Sequence, residues 1–109
     1  MTGQEIVVVI TTCDHRDDAD RLASDVVRKR LAACAQISGT ITSYYWWKDT
    51  MEEAEEWQIR MKTTAAGYQR LETFIKEHHP YELPQIIAFH ADKVLPEFSQ
   101  WVAEMVEKH

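Results

Sequence analysis

The run Ile6-Val7-Val8-Val9-Ile10 constrains the fold more than any other part of the sequence. A continuous run of β-branched apolar residues is typical of a strand that is covered on both faces, because a strand with one solvated face alternates apolar and polar residues. We therefore expect a strand over Glu5 to Thr12 that lies in the centre of its sheet.

Apolar spacing predicts a helix, two strands, a helix, a strand and a final helix after this first strand. Their expected ranges are 14–33, 35–48, 55–63, 65–79, 84–90 and 95–107. Asp14 is in position to cap the first helix. Pro80 ends the second helix, because the residue before a proline is disfavoured in the helical conformation. The last helix is expected to bury an apolar stripe of Leu95, Phe98, Trp101, Val102 and Met105.

The element order βαββαβ plus a C-terminal helix predicts an α+β fold of the ferredoxin-like, split βαβ type. Two right-handed crossovers give strand order 4-1-3-2, with the first two helices on one face and the other face bare in a monomer. All 109 residues, 1–109, are expected to form one domain, since the chain is too short for two independent cores.

Aromatic residues are unusually frequent, with four Trp, four Tyr and three Phe. Tyr44, Tyr45, Trp46 and Trp47 follow one another in the second strand, so aromatic rings lie on both of its faces. Trp57 lies on the apolar face of the third strand. With one sheet face bare, these residues predict an interface between copies of the chain. The alternative is that the rings line a ring-binding cleft.

The charge of the chain restricts its partners. Twelve Lys and Arg against 18 Asp and Glu give a net charge of −6, whereas nucleic-acid binding depends on basic residues that neutralise phosphates. No apolar run approaches the roughly 20 residues of a membrane helix, and Met1 to Glu5 lacks the features of a signal peptide. We expect a cytoplasmic protein that binds neither nucleic acid nor membrane.

Cys13 and Cys34 are expected to lie far apart. The first and second strands run parallel in this fold, so Cys13 is at the end of one and Cys34 at the start of the other. An eight-residue strand spans about 26 Å, which is too far for a shared metal or a disulfide. Cys34 is therefore expected to pack at the helix-to-strand junction.

The end of the second helix reaches the same sheet edge as Cys13. The residues expected around Cys13 are His79, His78, Asp14, His15 and Glu82. Because copper and zinc favour thiolate and imidazole ligands, Cys13 and His79 form a candidate site for copper or another divalent ion. The alternative is that His79 caps the helix and that Cys13 is a half-buried apolar residue.

Four sequence blocks and a closing pair occur in an order typical of one protein family. They are Arg30-Leu31-Ala32-Ala33-Cys34, Thr42-Ser43-Tyr44-Tyr45-Trp46-Trp47, Glu56-Trp57-Gln58-Ile59-Arg60-Met61-Lys62-Thr63, His79-Pro80-Tyr81-Glu82-Leu83-Pro84-Gln85-Ile86-Ile87 and Trp101-Val102. Through these blocks the chain resembles the CutA divalent-cation tolerance protein family over nearly its whole length.

The resemblance implies a homotrimer of ferredoxin-like subunits, architecturally close to the PII signalling proteins, whose long second and third strands reach neighbouring subunits. It implies a role in divalent-cation tolerance, including copper binding, without a catalytic reaction. The alternative function is a PII-like regulatory or assembly module that binds a small molecule or a protein in the clefts between subunits. Glu56 matches a glutamate of the family, and its two open roles are a subunit salt bridge and a metal ligand.

The chain departs from the family pattern at two positions. Asp49 replaces the usual glycine after the strand-two tryptophan, so we expect a different turn at the hairpin tip. Some copper-binding members carry a cysteine at the position of Thr11, whereas Cys13 lies two residues later and points to the same face. The sequence contains no phosphate-binding glycine loop, no Gly-x-Ser-x-Gly elbow and no zinc-protease motif, and we expect no enzyme.

Overall fold

The computed structural model describes residues 5–106, which contain four strands and three helices. In chain order they are β1 (Ile6–Cys13), α1 (Arg16–Arg28), β2 (Cys34–Trp47), β3 (Thr50–Thr64), α2 (Tyr68–His78), β4 (Ile87–His90) and α3 (Pro96–Met105). Each has a predicted counterpart, although the expected last residue of α3, Glu107, lies outside the described residues. None of the helices within this range is long and apolar enough to cross a membrane.

The strands form an antiparallel sheet in the order β2-β3-β1-β4. This is the predicted order read from the other edge. β1 is the inner strand that its apolar run predicted, since Val9 pairs with Met61 of β3 on one side and with Ala88 of β4 on the other. The ferredoxin-like α+β fold is therefore confirmed.

Helices α1 and α2 cover one face of the sheet and form the main core with it. The buried residues of this core alternate along β1 and β3 and recur at three-and-four spacing along the helices, as expected for strands and amphipathic helices that share one interior. They are Val7, Val9, Cys13, Ala19, Leu22, Ala23, Val26, Ala32, Ile59, Met61, Leu71 and Ile75.

Helix α3 packs through a second, smaller cluster over the start of β1. Val102 and Val106 are buried there against Ile6 and Ala33. The expected burial of Leu95, Phe98 and Trp101 is wrong, because these side chains are 66%, 37% and 39% exposed. Helix α3 has a wider apolar stripe than the surface of its own chain covers.

Helix α1 does not begin with an Asp14 cap. The helix starts at Arg16, and His15 occupies the capping position with no side-chain hydrogen bond to the helix. The carboxylate of Asp14 lies instead 3.0 Å from the His15 ring, so it is not directed at the free backbone N–H groups. Asp17 and Asp18 in the first turn still suit the positive end of the helix dipole.

The predicted end of α1 at Ala33 is also wrong. Arg30 has a positive φ of 59°, and its N–H donates to the carbonyl of Val27, while the N–H of Leu31 donates to the carbonyl of Val26. These two bonds form a Schellman motif, which ends a helix by turning the chain through one left-handed residue. The turn lets the N–H of Ala33 donate to the carbonyl of Lys62 and start the pairing of β2 with β3.

The strands β2 and β3 extend well beyond the sheet. β3 begins at Thr50 rather than at Glu55, and β1 pairs only with its residues from Trp57 onward. Within the described residues, the partners of 41–47 are 50–56. We call this two-stranded segment, residues 41–56, the arm. Its tip is a two-residue turn in which Lys48 and Asp49 have positive φ values of 49° and 66°, so Asp49 adopts the left-handed conformation that favours glycine.

A register shift marks the point at which the arm leaves the sheet. Gly39 pairs with Trp57 and Ile41 with Glu56, so Thr40 is an extra residue in β2. Such a bulge bends the strand and increases its twist. A Cβ atom at Gly39 would lie 2.7 Å from Cδ1 of Trp57, so the close approach of the indole requires glycine here.

Candidate functional site

The structure brings Cys13 and His79 together at one edge of the sheet. Cys13 is the last residue of β1, and His79 follows directly after α2. The thiol Sγ lies 3.7 Å from the imidazole Nε2. Both side chains are buried, with exposed fractions of 0% and 9%.

Both nitrogens of the His79 ring have hydrogen-bond partners. Nδ1 accepts from the backbone N–H of Tyr81 at 3.1 Å, so Nε2 carries the proton and donates to the carbonyl of Thr12 at 2.8 Å. Burial lowers the pKa of His79, and the Thr12 bond and nearby carboxylates offset that only in part. The ring is therefore a neutral imidazole with a fixed tautomer at neutral pH.

The Cys13 thiol is protonated at neutral pH. Burial, and after it the negative charges of Asp18 and Asp14, raise its pKa to about 11, although Arg21 acts in the opposite direction. A reactive cysteine needs the opposite environment, because the thiolate is the nucleophile. The surroundings of Cys13 therefore do not favour a catalytic thiolate.

A second buried group lies beside this pair. Glu56 is 6% exposed, and its two oxygens accept hydrogen bonds from the hydroxyls of Ser43 at 2.7 Å and Tyr81 at 2.6 Å. Burial, then the Glu56 hydrogen bond and charge, raise the pKa of Tyr81 far above its usual value. The Tyr81 ring also meets the His79 ring edge-on, with 4.8 Å between centroids. Tyr81 therefore links the Cys13–His79 pair to Glu56.

Glu56 and Tyr81 lie in a cleft between the arm and the segment after α2. The cleft has a volume of about 680 Å³. Its lining residues are Thr12, Asp14, Ser43, Tyr44, Tyr45, Trp46, Trp47, Glu56, Tyr81, Glu82, Leu83 and Gln85. At the arm tip, the Lys48 ammonium lies 5.4 Å from the centroid of the Trp47 ring and 3.8 Å from Glu82. The cleft is thus walled by aromatic rings and carries negative charge.

The remaining predicted residues fall outside the Cys13–His79 pair. His78 is exposed, its Nδ1 lies 2.9 Å from the carbonyl of Phe74, and its ring stacks on that of Phe74 at 4.0 Å. The side chain of His78, rather than that of His79, contacts a carbonyl of α2, whereas the backbone N–H of His79 caps the helix by donating to the carbonyl of Ile75. Glu82 lies at the rim of the cleft. Trp57 packs against the core of its own chain.

Cys34 is far from Cys13, as the parallel strands predicted. On β3, Cys34 pairs with Lys62 and Cys13 pairs with Trp57, which puts them five residues apart and on opposite sides of that strand. Both cysteines are free. Cys34 is half-buried at the start of β2.

A second group of potential metal-binding side chains lies at the acidic start of α1, and the sequence indicated two of its three members, Asp14 and His15. Asp14, His15 and Asp18 place one potential metal-binding atom each within 4.8 Å of one another. Asp14 and His15 are exposed and Asp18 is half-buried. Asp18 could have been found from its i,i+4 spacing to Asp14. Ser43 and Tyr81 as partners of Glu56 had no local signal, because they lie 13 and 25 residues from it in sequence.

These features define a ferredoxin-like domain with an added C-terminal helix, a projecting β-hairpin and a buried Cys–His pair at the sheet edge. The sequence matches the family described as "CutA1 divalent ion tolerance protein" over residues 7–105. The chain belongs to this family.

Similar proteins come from animals, bacteria and plants. The chain is 34% identical over 102 residues to "Protein CutA" of Mus musculus, which covers 94% of this chain and 58% of the mouse protein. It is 34% identical over 98 residues to "Divalent-cation tolerance protein CutA" of Citrobacter koseri, covering 90% and 85% of the two chains. The crystal structure of CutA1 from Oryza sativa superimposes with a TM-score of 0.95 at 26% identity, covering 100% of both chains. The chain thus spans little more than half the length of its mouse relative.

Proposed function

We propose that this protein acts in divalent-cation tolerance and binds a divalent transition-metal ion such as copper through Cys13 and His79. The observation that carries the proposal is the 3.7 Å separation of Sγ and Nε2 at a sheet edge. Thiolate and imidazole are the ligands that copper and zinc prefer. The family description and the name of the Citrobacter koseri relative support the role in tolerance.

The surroundings of the Nε2 proton fit a metal ion. This proton points at the carbonyl of Thr12, 2.8 Å from Nε2. Cys13 Sγ lies 3.7 Å from the same nitrogen. An ion that replaced the proton would meet a nitrogen, a sulfur and a carbonyl oxygen. The His78 ring contacts the carbonyl of Phe74, and the Glu56 carboxylate accepts from two hydroxyls. We therefore propose only Cys13 and His79 as side-chain ligands.

Binding at this pair has an energetic cost that sets its pH dependence. The ion must displace the thiol proton, whose pKa is raised to about 11. It must also move the single N–H proton of the neutral His79 ring from Nε2 to Nδ1, which breaks the bond from the Tyr81 N–H. We therefore expect weak binding that tightens by about tenfold per pH unit for each proton released, up to the pKa of the thiol.

Titration with Co²⁺ tests the site, because a thiolate–Co²⁺ bond gives a charge-transfer absorption band. The wild-type protein is expected to show the band and to release protons, and Cys13→Ser and His79→Gln are expected to lose it. Cys34→Ser and His90→Gln are matched controls that should bind like the wild type. A band that survives Cys13→Ser would remove this site, and one lost only in Cys34→Ser would place the metal elsewhere.

We also propose that the chain assembles as a homotrimer through the arm and works in the cytoplasm. An isolated two-stranded hairpin is marginally stable in water, and this one exposes Tyr44, Trp46 and Met51 by 64%, 73% and 61%. Cover from neighbouring copies explains both facts. The two free cysteines agree with a reducing compartment.

A second candidate function is a regulatory or assembly module of the PII-like type, without catalysis. The cleft of about 680 Å³ favours it, because this volume lies within the range of small-molecule sites. In that case Cys13→Ser would leave function intact, while substitutions in the cleft would abolish it. The two candidates are therefore separated by which set of variants loses tolerance to divalent ions in cells.

A further inference from the structure

The sheet face opposite α1 and α2 carries positive charge beside apolar side chains. The residues that alternate with the core residues of β1, β3 and β4 lie on this face, and α3 covers it only at the start of β1. We call it the open face and define it by Val8, Ile10, Arg60, Lys62, Ile87 and Phe89. Arg60 and Lys62 each donate to the amide oxygen of a glutamine, and Ile87 and Phe89 are 43% and 56% exposed. The open face is therefore basic along β3 and apolar along β1 and β4.

The arm carries the opposite charge. Residues 41–56 contain five acidic residues and one lysine. One face of the arm, which we call the outer arm face, is formed by Tyr44, Trp46, Met51, Glu53 and Glu55. Glu55 accepts a hydrogen bond from the neutral hydroxyl of Thr42. The outer arm face is therefore acidic along β3 and aromatic along β2, which is the arrangement of the open face with the sign of the charge reversed.

The two surfaces cannot meet within one chain. Residues 53 and 55 lie on the opposite side of β3 from residues 60 and 62, because side chains alternate along a strand. No salt bridge within residues 5–106 includes any of these four charged groups. The two carboxylates and the two cations are each two residues apart on a strand, so both pairs repeat at about 6.6 Å. A second copy of the chain can therefore match both charges at once.

We propose that the outer arm face of one copy docks on the open face of a second copy. The two carboxylates then lie over the two cations, and the rings of β2 lie over the apolar residues of β1 and β4. Opposite charges set the register of such a contact, while the buried rings supply most of its apolar area. The inference rests on the proposed assembly through the arm and adds the surface that receives the arm. Because the docking and receiving surfaces differ, the contact is heterologous, and its repetition closes a ring of copies.

The test reverses the charge of each surface. Arg60→Glu with Lys62→Glu makes the open face acidic, and Glu53→Lys with Glu55→Lys makes the outer arm face basic. Each double variant is expected to raise the protein concentration at which half of the assembly dissociates by at least about 100-fold, measured by light scattering over a dilution series. The variant with all four substitutions again has opposite charges on the two surfaces. It is expected to assemble within about tenfold of the wild type.

Lys29→Glu with Lys76→Glu is the matched control. It changes the net charge by as much as the open-face variant, but both lysines are exposed at the ends of α1 and α2, so assembly is expected to stay the same. Unchanged assembly of a folded Arg60→Glu, Lys62→Glu variant would overturn the docking and leave assembly through the arm intact. Dissociation that the fourfold variant does not reverse would also overturn it. A wild-type mass of one chain would remove the proposed trimer itself.

Cross-linking of the wild-type protein gives a second measurement that does not depend on the folding of variants. A carbodiimide joins a carboxylate directly to an ammonium group in contact with it. In a mixture of isotope-labelled and unlabelled chains, mass spectrometry is expected to find Lys62 of one copy joined to Glu53 or Glu55 of another. Links between copies that join other residues and leave out Lys62 would contradict the docking.

Discussion

The strands β2 and β3 each pass through two environments. From Trp57 onward, β3 lies inside the sheet and sends Ile59 and Met61, both 0% exposed, into the core beneath the helices. In the arm the same strand exposes most of its residues, and Glu56 is buried by its neighbours in the cleft rather than by the core. The change occurs at Gly39 and Trp57, where the register shifts.

The contrast shows what each pattern of residues requires. In the sheet part of β3, apolar residues alternate with polar ones, so one face can be buried by the chain itself. In the arm, Tyr44 and Trp46 lie on one face and Tyr45 and Trp47 on the other, so no single surface can cover them. The proposed assembly therefore depends on the arm, whereas the sheet buries its helix-covered face with residues of its own chain.

The largest expected effect is on assembly through the arm. The double substitution Tyr44→Ala with Trp46→Ala removes two exposed rings, and we expect the mass measured by light scattering to fall from about three times 12.7 kDa to a single chain. The far-ultraviolet circular dichroism should stay the same, because the sheet does not depend on these rings. A wild-type mass of 12.7 kDa would itself contradict the proposed trimer.

A core substitution should act on folding instead. Ile59→Ala removes a fully buried side chain and is expected to lower the free energy of unfolding by about 2–5 kcal/mol. Urea unfolding in the background of the double arm variant gives the measurement without assembly. In that background Met51→Ala, 61% exposed in the arm, should change the free energy of unfolding by less than about 0.5 kcal/mol. If Ile59→Ala and Met51→Ala lowered the free energy of unfolding equally, the core and the arm would not differ in their contribution to stability.

The junction between the regions should be sensitive to one added methyl group. Gly39→Ala would put a Cβ 2.7 Å from the Trp57 ring, and we expect a loss of about 1–3 kcal/mol in the free energy of unfolding. Ser38→Ala, at the exposed neighbouring position, is the control and should be nearly neutral. If Gly39→Ala were neutral as well, the close approach of Trp57 would not constrain this position.

The smallest effect is the pH dependence from His79. Burial lowers the pKa of His79 in the folded state. Below about pH 6.5, the unfolded chain therefore binds a proton at His79 more readily than the folded chain does. Stability is then present at neutral pH and falls as the pH decreases, by at most about 1.4 kcal/mol per pH unit from this group. Urea midpoints from pH 7 to pH 5 should fall less for His79→Gln than for the wild type.

The exposed His90 provides the control for this measurement. His90→Gln should follow the wild-type pH dependence, because its ring is 66% exposed. Parallel slopes for His79→Gln and the wild type would show that another group controls the acid sensitivity.

The fold followed from local patterns, because each element buries a stripe or face that its own residues define. The β-branched run located the inner strand, and the element order then left few topologies. The Cys13–His79 proximity also followed, since topology alone brings the end of β1 to the end of α2. The predicted length of α1 was wrong, because the helix ends in a Schellman motif whose left-handed residue is Arg30 rather than the glycine that usually marks such an end.

The cleft could not be predicted from the sequence. Glu56, Ser43 and Tyr81 are brought together by hairpin register and by a loop 25 residues away, and neither distance leaves a pattern in the chain. The exposure of Phe98 and Trp101 was missed for a related reason. An apolar stripe on a helix predicts that something covers it, but not whether the cover belongs to the same chain.

Tyr81 connects the Cys13–His79 pair with the cleft. Its N–H bonds to the His79 ring and its hydroxyl bonds to Glu56, so a single residue reports on both. Metal binding at the proposed site would shift the His79 proton to Nδ1 and release the Tyr81 N–H, and a ligand of the cleft that bound Glu56 would compete with the Tyr81 hydroxyl. Any coupling free energy that results must be reciprocal, so that an ion changes the affinity of the cleft by the same factor by which the cleft ligand changes the affinity for the ion.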